Sequence, residues 1–575
     1  MGFCTRRRTI IACLLAAVVL AVVIVVLVLR PWNPTATHFP HATVAANGLE
    51  CASIGRGILE KNGSAVDAAI ATLLCEGMGC AQCMGLGGGF FATVYDASTG
   101  TVRVINARER APAASTPDMF ANASSTVGGL AVAVPGELLG YGYMHREYGR
   151  LPWAEVVRPV AELARRGHVV TEYMARVLGT FSDRIKEEPS MRELYVNPAT
   201  GETYRVGDLI QEPTLARTLD IIAEEGPEAM HNGSLTAAFV RDIQGFGGII
   251  TEDDLRNYRP EWREPITVEL TDDLTLYTTP LPGSGAVLAF ILNILNGFIG
   301  KETQAPPSSD VYWHRIAESY KFAYAKRTDL GDVNHNVTYS ISELERNLTS
   351  MSMAAATRAQ IDDARTYNDY RHYGAIFGAE EDRGTAHVVV VAPDGSAVSA
   401  TSSINWIWGA VRRSTSLGVM LNNQMDDFAI PGRMNSYGLP PSPANLLAPN
   451  LQPLSSIVPC IVLHRNGTVK LVAGAAGGTK ITTTTALTTI NVLLEGLQLP
   501  YTMDRPRMHH QLMPMEVQCE EDFYKDAIES LKARNHTVNL LPAYSGFAAM
   551  VAAVREPQGY VAYTDKRRKG STDGF

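Results

Sequence analysis

The residues best placed to do chemistry are Gly384 and Thr385, which stand just before the apolar run 388–391. A Pro-Asp-Gly turn at 393–395 separates this run from a second one, 396–401, and the pattern predicts a β-hairpin. If the Gly384–Thr385 bond were cut, Thr385 would carry a free α-amine beside its own hydroxyl. An α-amine with a pKa near about 8 can take the hydroxyl proton at neutral pH, so this threonine would be a nucleophile with a built-in base. The alternative is an ordinary β-branched residue on a pleated strand.

This segment is one of several motifs that come in a fixed order along the chain, and their order is informative. They are GTAHVVVVAPDGSAVSATSSIN, LNNQMDDF, PLSS and GAAGGTKITT, with INARE upstream. Together they closely resemble the γ-glutamyltransferases, which are self-cleaving N-terminal-nucleophile enzymes, and the resemblance covers nearly the whole chain. It implies an α/β fold, the αββα sandwich built jointly by both halves of the cut chain. It implies no metal and no organic cofactor.

The resemblance also assigns catalytic roles. Thr385 would first attack the Gly384 carbonyl to give an ester that water opens, and afterwards attack the γ-carbonyl of a γ-glutamyl donor. Ser403 stands where the family usually has a threonine that hydrogen-bonds the nucleophile, so the hydroxyl is kept and the stiffening methyl is lost. Gly477 and Gly478 would supply backbone N–H groups to the oxyanion. The alternative for Ser403 is an ordinary strand serine, and the alternatives for the Gly-Gly pair are a structural turn or an anion site at a helix N-terminus.

The donor's charged ends need partners of opposite charge. Arg108 matches the family's carboxylate clamp, and a guanidinium suits this role through two parallel hydrogen bonds. The matching hydroxyls for the same group are Ser455 and Ser456, and the matching acceptors for the α-ammonium are Asn405, Gln424 and Asp427. Gln424 departs from the animal enzymes, which have glutamate there, so one formal charge is missing. Without the resemblance, Arg108 would be read as a surface ion-pair residue and Asp427 as part of a solvated turn.

His387 invites comparison with a Ser-His-Asp arrangement, because it lies two residues from Thr385 and shares its strand face. We expect a structural strand histidine, since the α-amine already provides the base.

Composition bounds the class of protein. The chain has 575 residues, 46% of them hydrophobic and 19% charged, which are globular values. A net charge of −9 argues against a nucleic-acid partner, and no basic stripe with interleaved aromatics is evident.

The N-terminus carries a predicted membrane anchor. Three arginines at 6–8 precede the apolar run 10–29, whose 20 residues would span about 30 Å as a helix. The positive flank should stay in the cytoplasm. We therefore expect a single-pass type II protein of the plasma membrane with its catalytic domain outside the cell. A cleaved signal peptide is the alternative.

Sequons and cysteines fit an external location. Glycosylation is predicted at six sequons, and a seventh, Asn62, abuts a helix start; the six are Asn122, Asn232, Asn336, Asn347, Asn466 and Asn535. The resemblance implies a disulfide between Cys51 and Cys75. Cys80 and Cys83 form a C-x-x-C motif, but with no second pair and no nearby histidine we predict no metal there.

The predicted organisation is a cytoplasmic tail at 1–9, an anchor at 10–29, a large-subunit part at 30–384 and a small-subunit part at 385–575. Ser64 reads as a helix N-cap with Asp67 three residues on. Other helices are predicted at 153–165, 286–298, 312–326 and 482–494, and strands at 91–95, 102–106, 274–278, 418–421, 457–463 and 469–473. The polar stretch 355–383 is where an exposed, cuttable connection is expected.

The resemblance also implies the reaction partners. Glutathione and its conjugates would donate the γ-glutamyl group, and amino acids, dipeptides or water would accept it. Two alternatives remain: the same fold specialised for leukotriene or other γ-glutamyl conjugates, and a catalytically inactive surface glycoprotein.

Overall fold

The computed structural model describes residues 37–299, 311–378, 384–434, 438–542 and 546–575. The predicted anchor at 10–29 and tail at 1–9 lie outside these ranges, as does the charged run 380–383. Within the described residues, no helix is long and apolar enough to cross a membrane.

Two seven-stranded sheets form the centre of the molecule. The first sheet contains, in spatial order, Ser571–Gly574, Thr43–Ala46, Gly384–Val391, Ala397–Asn405, Gly89–Asp96, Thr101–Ala107 and Glu261–Arg263. The second contains His38–Phe39, Gly559–Thr564, Ala549–Glu556, Val469–Ala476, Cys460–His464, Leu274–Thr278 and Ile266–Glu269. Smaller sheets pair Met508–His509, Val517–Glu520 and Val538–Leu541, and His168–Val169 with Leu209–Ile210.

Strand alternation divides the core into three layers. Val388 and Val390 of the first sheet pack among helices, whereas Val389 and Val391 face apolar residues of the second sheet such as Val472. Because side chains alternate along a strand, one face of each sheet covers the other and the opposite face takes helices. The secondary structure therefore forms four layers, with the two sheets in the middle and helices outside each, and the three layers of core lie between them.

Helices cover both outer faces. Against the first sheet lie Cys51–Glu60, Ala65–Gly79 and Glu137–Tyr148, and against the second Gly285–Ile299 and Lys480–Thr489. Three further helices pack outside these: Trp153–Arg166 and Pro213–Glu225 on the first side, and Tyr312–Arg327 on Gly285–Ile299. The other helices are Glu172–Thr180, Ser182–Glu187, Pro189–Tyr195, Ala229–Asn232, Thr236–Gly245, Glu252–Asn257, Ile341–Leu348, Met351–Arg358, Leu499–Asp504 and Lys525–Ala533. Short 3₁₀ turns occur at Gly129–Ala131, Tyr370–Tyr373, Gln424–Asp427 and Pro443–Asn445.

The helix Ala65–Gly79 shows why local sequence predicted so much of this layer. The Ser64 hydroxyl accepts from the Asp67 N–H while the Asp67 carboxylate accepts from the Ser64 N–H, a complete capping box. A disulfide joins Cys75 of this helix to Cys51 of the preceding one.

Three predicted elements differ from the structure. The segment 418–421 is not a strand: Gly418 has a φ of +78°, and only Met420 makes a bridge, to Arg413. Its apolar residues are buried as a loop under the helices, which explains the misleading pattern. The strand predicted from 457 begins at Cys460, because Pro459 has no N–H for a sheet ladder. The helix predicted to run to 494 ends at Thr489 and continues as a wider π turn, Ile490–Leu494.

Candidate active site

The hairpin strands Gly384–Val391 and Ala397–Asn405 hold Thr385 at a β-bulge. Gly384 pairs with Asn405 and Ala386 pairs with Ser402, so the second strand has one residue more than the first across this interval. The Thr385 side chain is buried, with a relative exposure of 1%. Bulges of this kind occur beside active sites because they locally re-aim a side chain.

Both carbonyls that flank the predicted cleavage point are hydrogen-bonded. The Ser403 hydroxyl donates to the Gly384 carbonyl and accepts from the Asn405 N–H at 2.9 Å. The Arg568 guanidinium donates to the Thr385 carbonyl at 2.5 Å. A hydroxyl on the Gly384 carbonyl polarises the carbon that the Thr385 hydroxyl would attack. The sequence predicted that Ser403 contacts the nucleophile; its hydroxyl is found on the carbonyl that precedes it.

Gly384 is sterically required. A Cβ atom added there would lie 2.6 Å from the Asn405 carbonyl oxygen and 2.7 Å from the Trp406 carbonyl carbon. Both contacts are with backbone, which cannot yield as a flexible side chain would. The residue before Thr385 must therefore be glycine for this hairpin to close.

His387 lies two residues beyond Thr385 on the strand Gly384–Val391 and is fully buried. Its Nδ1 is 2.7 Å from the Thr401 hydroxyl and its Nε2 is 3.3 Å from the Ser399 hydroxyl. Burial lowers its pKa to about 3, so the ring is neutral at physiological pH. A Cβ added to Gly474 would lie 2.3 Å from the ring, so the histidine fills the space between the sheets. These contacts agree with a structural histidine.

Arg108, Gln424 and Asp427 meet although 319 residues separate the first from the last. Arg108 is buried at the end of the strand Thr101–Ala107, and its Nη2 donates to Asp427 Oδ2 at 2.5 Å. Gln424 Nε2 donates to the same oxygen at 2.6 Å. Arg108 is therefore a buried ion-pair residue, not a surface one.

Carbonyls hold the rest of the guanidinium. Arg108 Nε donates to the Pro453 carbonyl at 3.3 Å and Nη2 to the Leu454 carbonyl at 3.4 Å. Nη1 lies 3.8 Å from Glu109 Oε2, beyond hydrogen-bond distance. Burial raises the pKa of Glu109 to about 7, although the Arg108 charge opposes the rise. Pro453 and Leu454 belong to the PLSS motif and directly precede Ser455. Arg108, the predicted carboxylate clamp, is therefore hydrogen-bonded to this motif.

Two buried amide oxygens in this region have no hydrogen-bond donor among the described residues: Gln424 Oε1 and Asn405 Oδ1. The nitrogens of both side chains are occupied, by Asp427 and by the Asn423 carbonyl respectively. An unsatisfied buried acceptor costs about 1–3 kcal/mol, so these oxygens are poised to accept from a ligand. A primary ammonium would satisfy them.

Ser455 and Ser456 are fully buried. The Ser455 hydroxyl accepts from the Ile457 N–H at 3.2 Å, and the Ser456 hydroxyl accepts from Arg327 Nη2 at 3.0 Å. Arg327, at the end of the helix Tyr312–Arg327, brings a second buried guanidinium to the side of the site that the resemblance assigns to a carboxylate.

Gly477 and Gly478 link the strand Val469–Ala476 to the helix Lys480–Thr489 with φ angles of +142° and +66°. A Cβ on Gly477 would lie 2.6 Å from the Ala548 Cα, so only glycine fits. Gly477 lines a cavity of about 620 Å³, and Arg568, which binds the Thr385 carbonyl, lines the same cavity. The glycine turn and the guanidinium that binds the Thr385 carbonyl thus line the same space.

Sequence reasoning missed several residues at this site. They are Arg568, Arg327 and Tyr173, whose ring lies 4.6 Å from the Arg568 guanidinium carbon. The basic run 566–569 was a usable signal for Arg568. Nothing local distinguishes Arg327 or Tyr173, because each reaches the site only through the tertiary fold.

A family model described as gamma-glutamyltranspeptidase matches residues 51–575. The chain belongs to the γ-glutamyltranspeptidase family. Scoloptoxin SSD14 of Scolopendra dehaani is 40% identical over 543 residues, covering 93% of this chain and 92% of the relative. Glutathione hydrolase 5 proenzyme of Mus musculus is 36% identical over 545 residues, covering 93% of each chain.

The fold of this γ-glutamyltranspeptidase is also that of a solved acylase. The crystal structure of cephalosporin acylase from Bacillus halodurans superposes with a TM-score of 0.81 at 23% identity, covering 95% of this chain and 98% of that one. The likeness concerns the fold alone. Family membership makes this chain an enzyme of γ-glutamyl transfer and hydrolysis.

Proposed function

We propose that this γ-glutamyltranspeptidase is a self-cleaving glutathione hydrolase and γ-glutamyltransferase, held in the plasma membrane by residues 10–29 with its catalytic domain outside the cell. One observation carries the proposal: the Gly384–Thr385 bond lies buried at a bulge with both flanking carbonyls hydrogen-bonded. Immobilised carbonyls beside a hydroxyl nucleophile are what an internal acyl shift requires.

Self-cleavage exchanges an amide for an ester and then opens the ester. The Thr385 hydroxyl loses its proton and attacks the Gly384 carbonyl carbon, while the Ser403 hydroxyl donates to the carbonyl oxygen as it gains negative charge. The Gly384–Thr385 C–N bond breaks, and the nitrogen takes up a proton. Water then hydrolyses the ester, which frees the Thr385 hydroxyl and the Gly384 carboxylate.

The donor's α-amino acid end binds at the Arg108–Asp427 pair. The carboxylate accepts from Arg108 and from the hydroxyls of Ser455 and Ser456, whose neighbouring carbonyls fix the guanidinium. The ammonium donates to Asp427 and to the unsatisfied oxygens of Gln424 and Asn405. Both charged ends of the γ-glutamyl group are then paired inside the protein.

Turnover uses the same threonine. The free α-amine takes the Thr385 hydroxyl proton, and the oxygen attacks the γ-carbonyl with the oxyanion held by the Gly477 and Gly478 N–H groups. The donor's amine leaves with a proton, and an amino acid, a dipeptide or water then takes the γ-glutamyl group from the threonine ester.

The comparisons and the surface support parts of this proposal. The mouse relative's name includes the words glutathione hydrolase and proenzyme. All six predicted glycosylation asparagines are exposed, as an external glycoprotein requires. The intact constellation of Thr385, Arg108 and Asp427 favours activity over an inactive glycoprotein.

The test is a reducing gel combined with a turnover assay. Wild-type protein should yield pieces of 384 and 191 residues before glycosylation, and the smaller should begin Thr-Ala-His-Val. Thr385→Ala should give one uncut chain with no hydrolysis of γ-glutamyl-p-nitroanilide. A different start for the smaller piece, with turnover unharmed, would overturn the mechanism.

A further inference from the structure

A second buried guanidinium lies behind the PLSS motif. Arg327 is the last residue of the helix Tyr312–Arg327 and is 3% exposed. Its Nη2 donates to the Ser456 hydroxyl at 3.0 Å. Within the described residues, its Nε has no acceptor and no carboxylate forms an ion pair with it. A buried cation without an anion is unfavourable, and the negative end of the helix dipole offsets only part of that cost.

The PLSS motif is held between two buried guanidiniums. Arg108 donates to two backbone carbonyls at one end of the motif. Arg327 donates to the Ser456 side chain at the other end. The Thr482 hydroxyl donates to the Ser456 carbonyl at 3.1 Å, which fixes the backbone there. A carboxylate bound at this motif would therefore be attracted by two positive charges, one in direct contact and one behind a hydroxyl.

The hydrogen bond from Arg327 determines what the Ser456 hydroxyl can do. A serine hydroxyl has one proton to donate and two lone pairs that accept. In Ser456 the guanidinium occupies the accepting side, and the O–H has no acceptor among the described residues. The proton is therefore available to a ligand, and the adjacent positive charge makes the hydroxyl a stronger hydrogen-bond donor. A carboxylate is the kind of acceptor that fits.

We propose that Arg327 is a positioning residue that acts through Ser456 to bind the α-carboxylate of the γ-glutamyl donor. The assignment rests on the proposed function, which places that carboxylate at Arg108, Ser455 and Ser456. Arg327 orients the Ser456 hydroxyl, and its charge stabilises the carboxylate across that hydroxyl. When the substrate binds, the charge of Arg327 gains an anion one hydroxyl away. Substrates with a free α-carboxylate are thereby selected over substrates whose carboxylate is blocked.

The test combines a substitution with a change in the substrate. Arg327→Gln removes the charge, and the two substrates are γ-glutamyl-p-nitroanilide and its α-carboxamide, which lacks the carboxylate. KM for the carboxylate substrate should rise about tenfold, the lower end of what one charged hydrogen-bond partner contributes. Its kcat should change little, because the carboxylate is bound equally in the ground and transition states. For the carboxamide, kcat/KM should stay within about twofold of wild type, because it has no charge for Arg327 to stabilise.

Further variants separate positioning from a structural role. Arg327→Lys restores the charge without the planar guanidinium, so KM for the carboxylate substrate should fall below the Arg327→Gln value. Arg327→Gln should add little to the effect of Ser456→Ala, because both variants remove the same link. Arg315→Gln is the matched control, since Arg315 lies on the same helix and pairs with the partly exposed Asp363. It should change KM for neither substrate.

Self-cleavage separates this assignment from the proposed function, because no described contact of Arg327 reaches Thr385. Arg327→Gln should therefore give the same two pieces as wild type. If the variant is cut and kcat/KM falls equally for both substrates, or for neither, Arg327 has no role in carboxylate binding and the proposed function stands. If wild type is uncut and hydrolyses neither substrate, the proposed function is refuted, and this assignment with it.

Ser456→Ala decides the question if Arg327→Gln does not fold. It removes the hydroxyl through which Arg327 acts, so KM should rise for the carboxylate substrate alone. An equal loss with both substrates would overturn the assignment.

Discussion

Replacing Arg108 by glutamine tests the donor site most directly. In the structure the guanidinium pairs with Asp427 and is otherwise held by carbonyls. Glutamine keeps similar polarity and removes the charge, so the donor's carboxylate loses a charge-assisted partner. Such a bond contributes about 1.5–3 kcal/mol. At about 1.4 kcal/mol per tenfold, KM for the donor should rise by about one to two orders of magnitude.

The same substitution removes the Arg108 guanidinium from its buried pair with Asp427. Breaking one half of a buried pair costs about 3–5 kcal/mol when the remaining charge stays in place. Arg108→Gln should therefore lower the melting temperature, and adding Asp427→Asn should recover much of the loss, since the double variant buries no unpaired charge at this pair. KM should stay high in both variants, because neither contains the cation.

The assay is hydrolysis of γ-glutamyl-p-nitroanilide with thermal unfolding of the same preparations. Arg103→Gln is the matched control, because Arg103 pairs with Glu147 at the surface, where removal of the ion pair should change neither quantity appreciably. Self-cleavage should persist in Arg108→Gln, since none of its described contacts reaches Thr385. A KM within about threefold of wild type would refute the carboxylate clamp, since loss of a charged hydrogen-bond partner should raise KM by about tenfold or more. Loss of self-cleavage would mean that Arg108 is structural.

Three other outcomes are expected. Gly384→Ala should block self-cleavage, because its Cβ would lie 2.6 Å from the Asn405 carbonyl oxygen; normal 191-residue product on a gel would contradict this. Replacing Cys51 and Cys75 together by alanine should cost about 3 kcal/mol of unfolding free energy in denaturant titration, from the loop of 24 residues that the disulfide closes; an unchanged midpoint would exclude that contribution. Burial raises the pKa of Glu137 from 4.5 to about 8, so its contribution to stability is complete below pH 4.5 and is lost as pH rises through 8. Glu137→Gln should therefore flatten the fall in unfolding free energy between pH 5 and 8, by up to about 1.4 kcal/mol per pH unit, and an equal slope in both proteins would refute the assignment.

The local sequence pattern predicted helices and strands well where a single short-range interaction decides the backbone conformation. The capping box at Ser64 and the Asp-Gly hairpin are decided within a few residues, and the structure confirms both. The pattern of apolar residues gave a wrong prediction at 418–421, because a loop buried under helices has the same apolar composition as a strand. A window of residues cannot tell which surface will cover an apolar run, so such errors follow from long-range packing.

In the candidate active site too, the sequence predicted residue types but not the contacts between them. The residue types at Arg108, Gln424 and Asp427 came from motif resemblance, but their mutual bonds join distant parts of the chain. The hydrogen bond from the Ile404 N–H to the Cys83 carbonyl joins distant parts of the sequence and left no local signal, which is why the C-x-x-C motif could be weighed only as a metal or redox site. Its place beside the nucleophile is a product of the fold alone.

The charge balance of the site gives the glutamine at 424 a physical meaning. Arg108 and Asp427 already pair as one cation and one anion, and Gln424 orients the anion through Nε2 while its oxygen stays unsatisfied. A glutamate there would place a second anion beside Asp427. With glutamine, the pair is neutral before binding. A zwitterionic α-amino acid end then enters without changing net charge, its carboxylate toward Arg108 and its ammonium toward Asp427 and the free amide oxygen. Binding should therefore depend on the geometry of both charged ends, so donors that lack either end should lose affinity together with productive orientation.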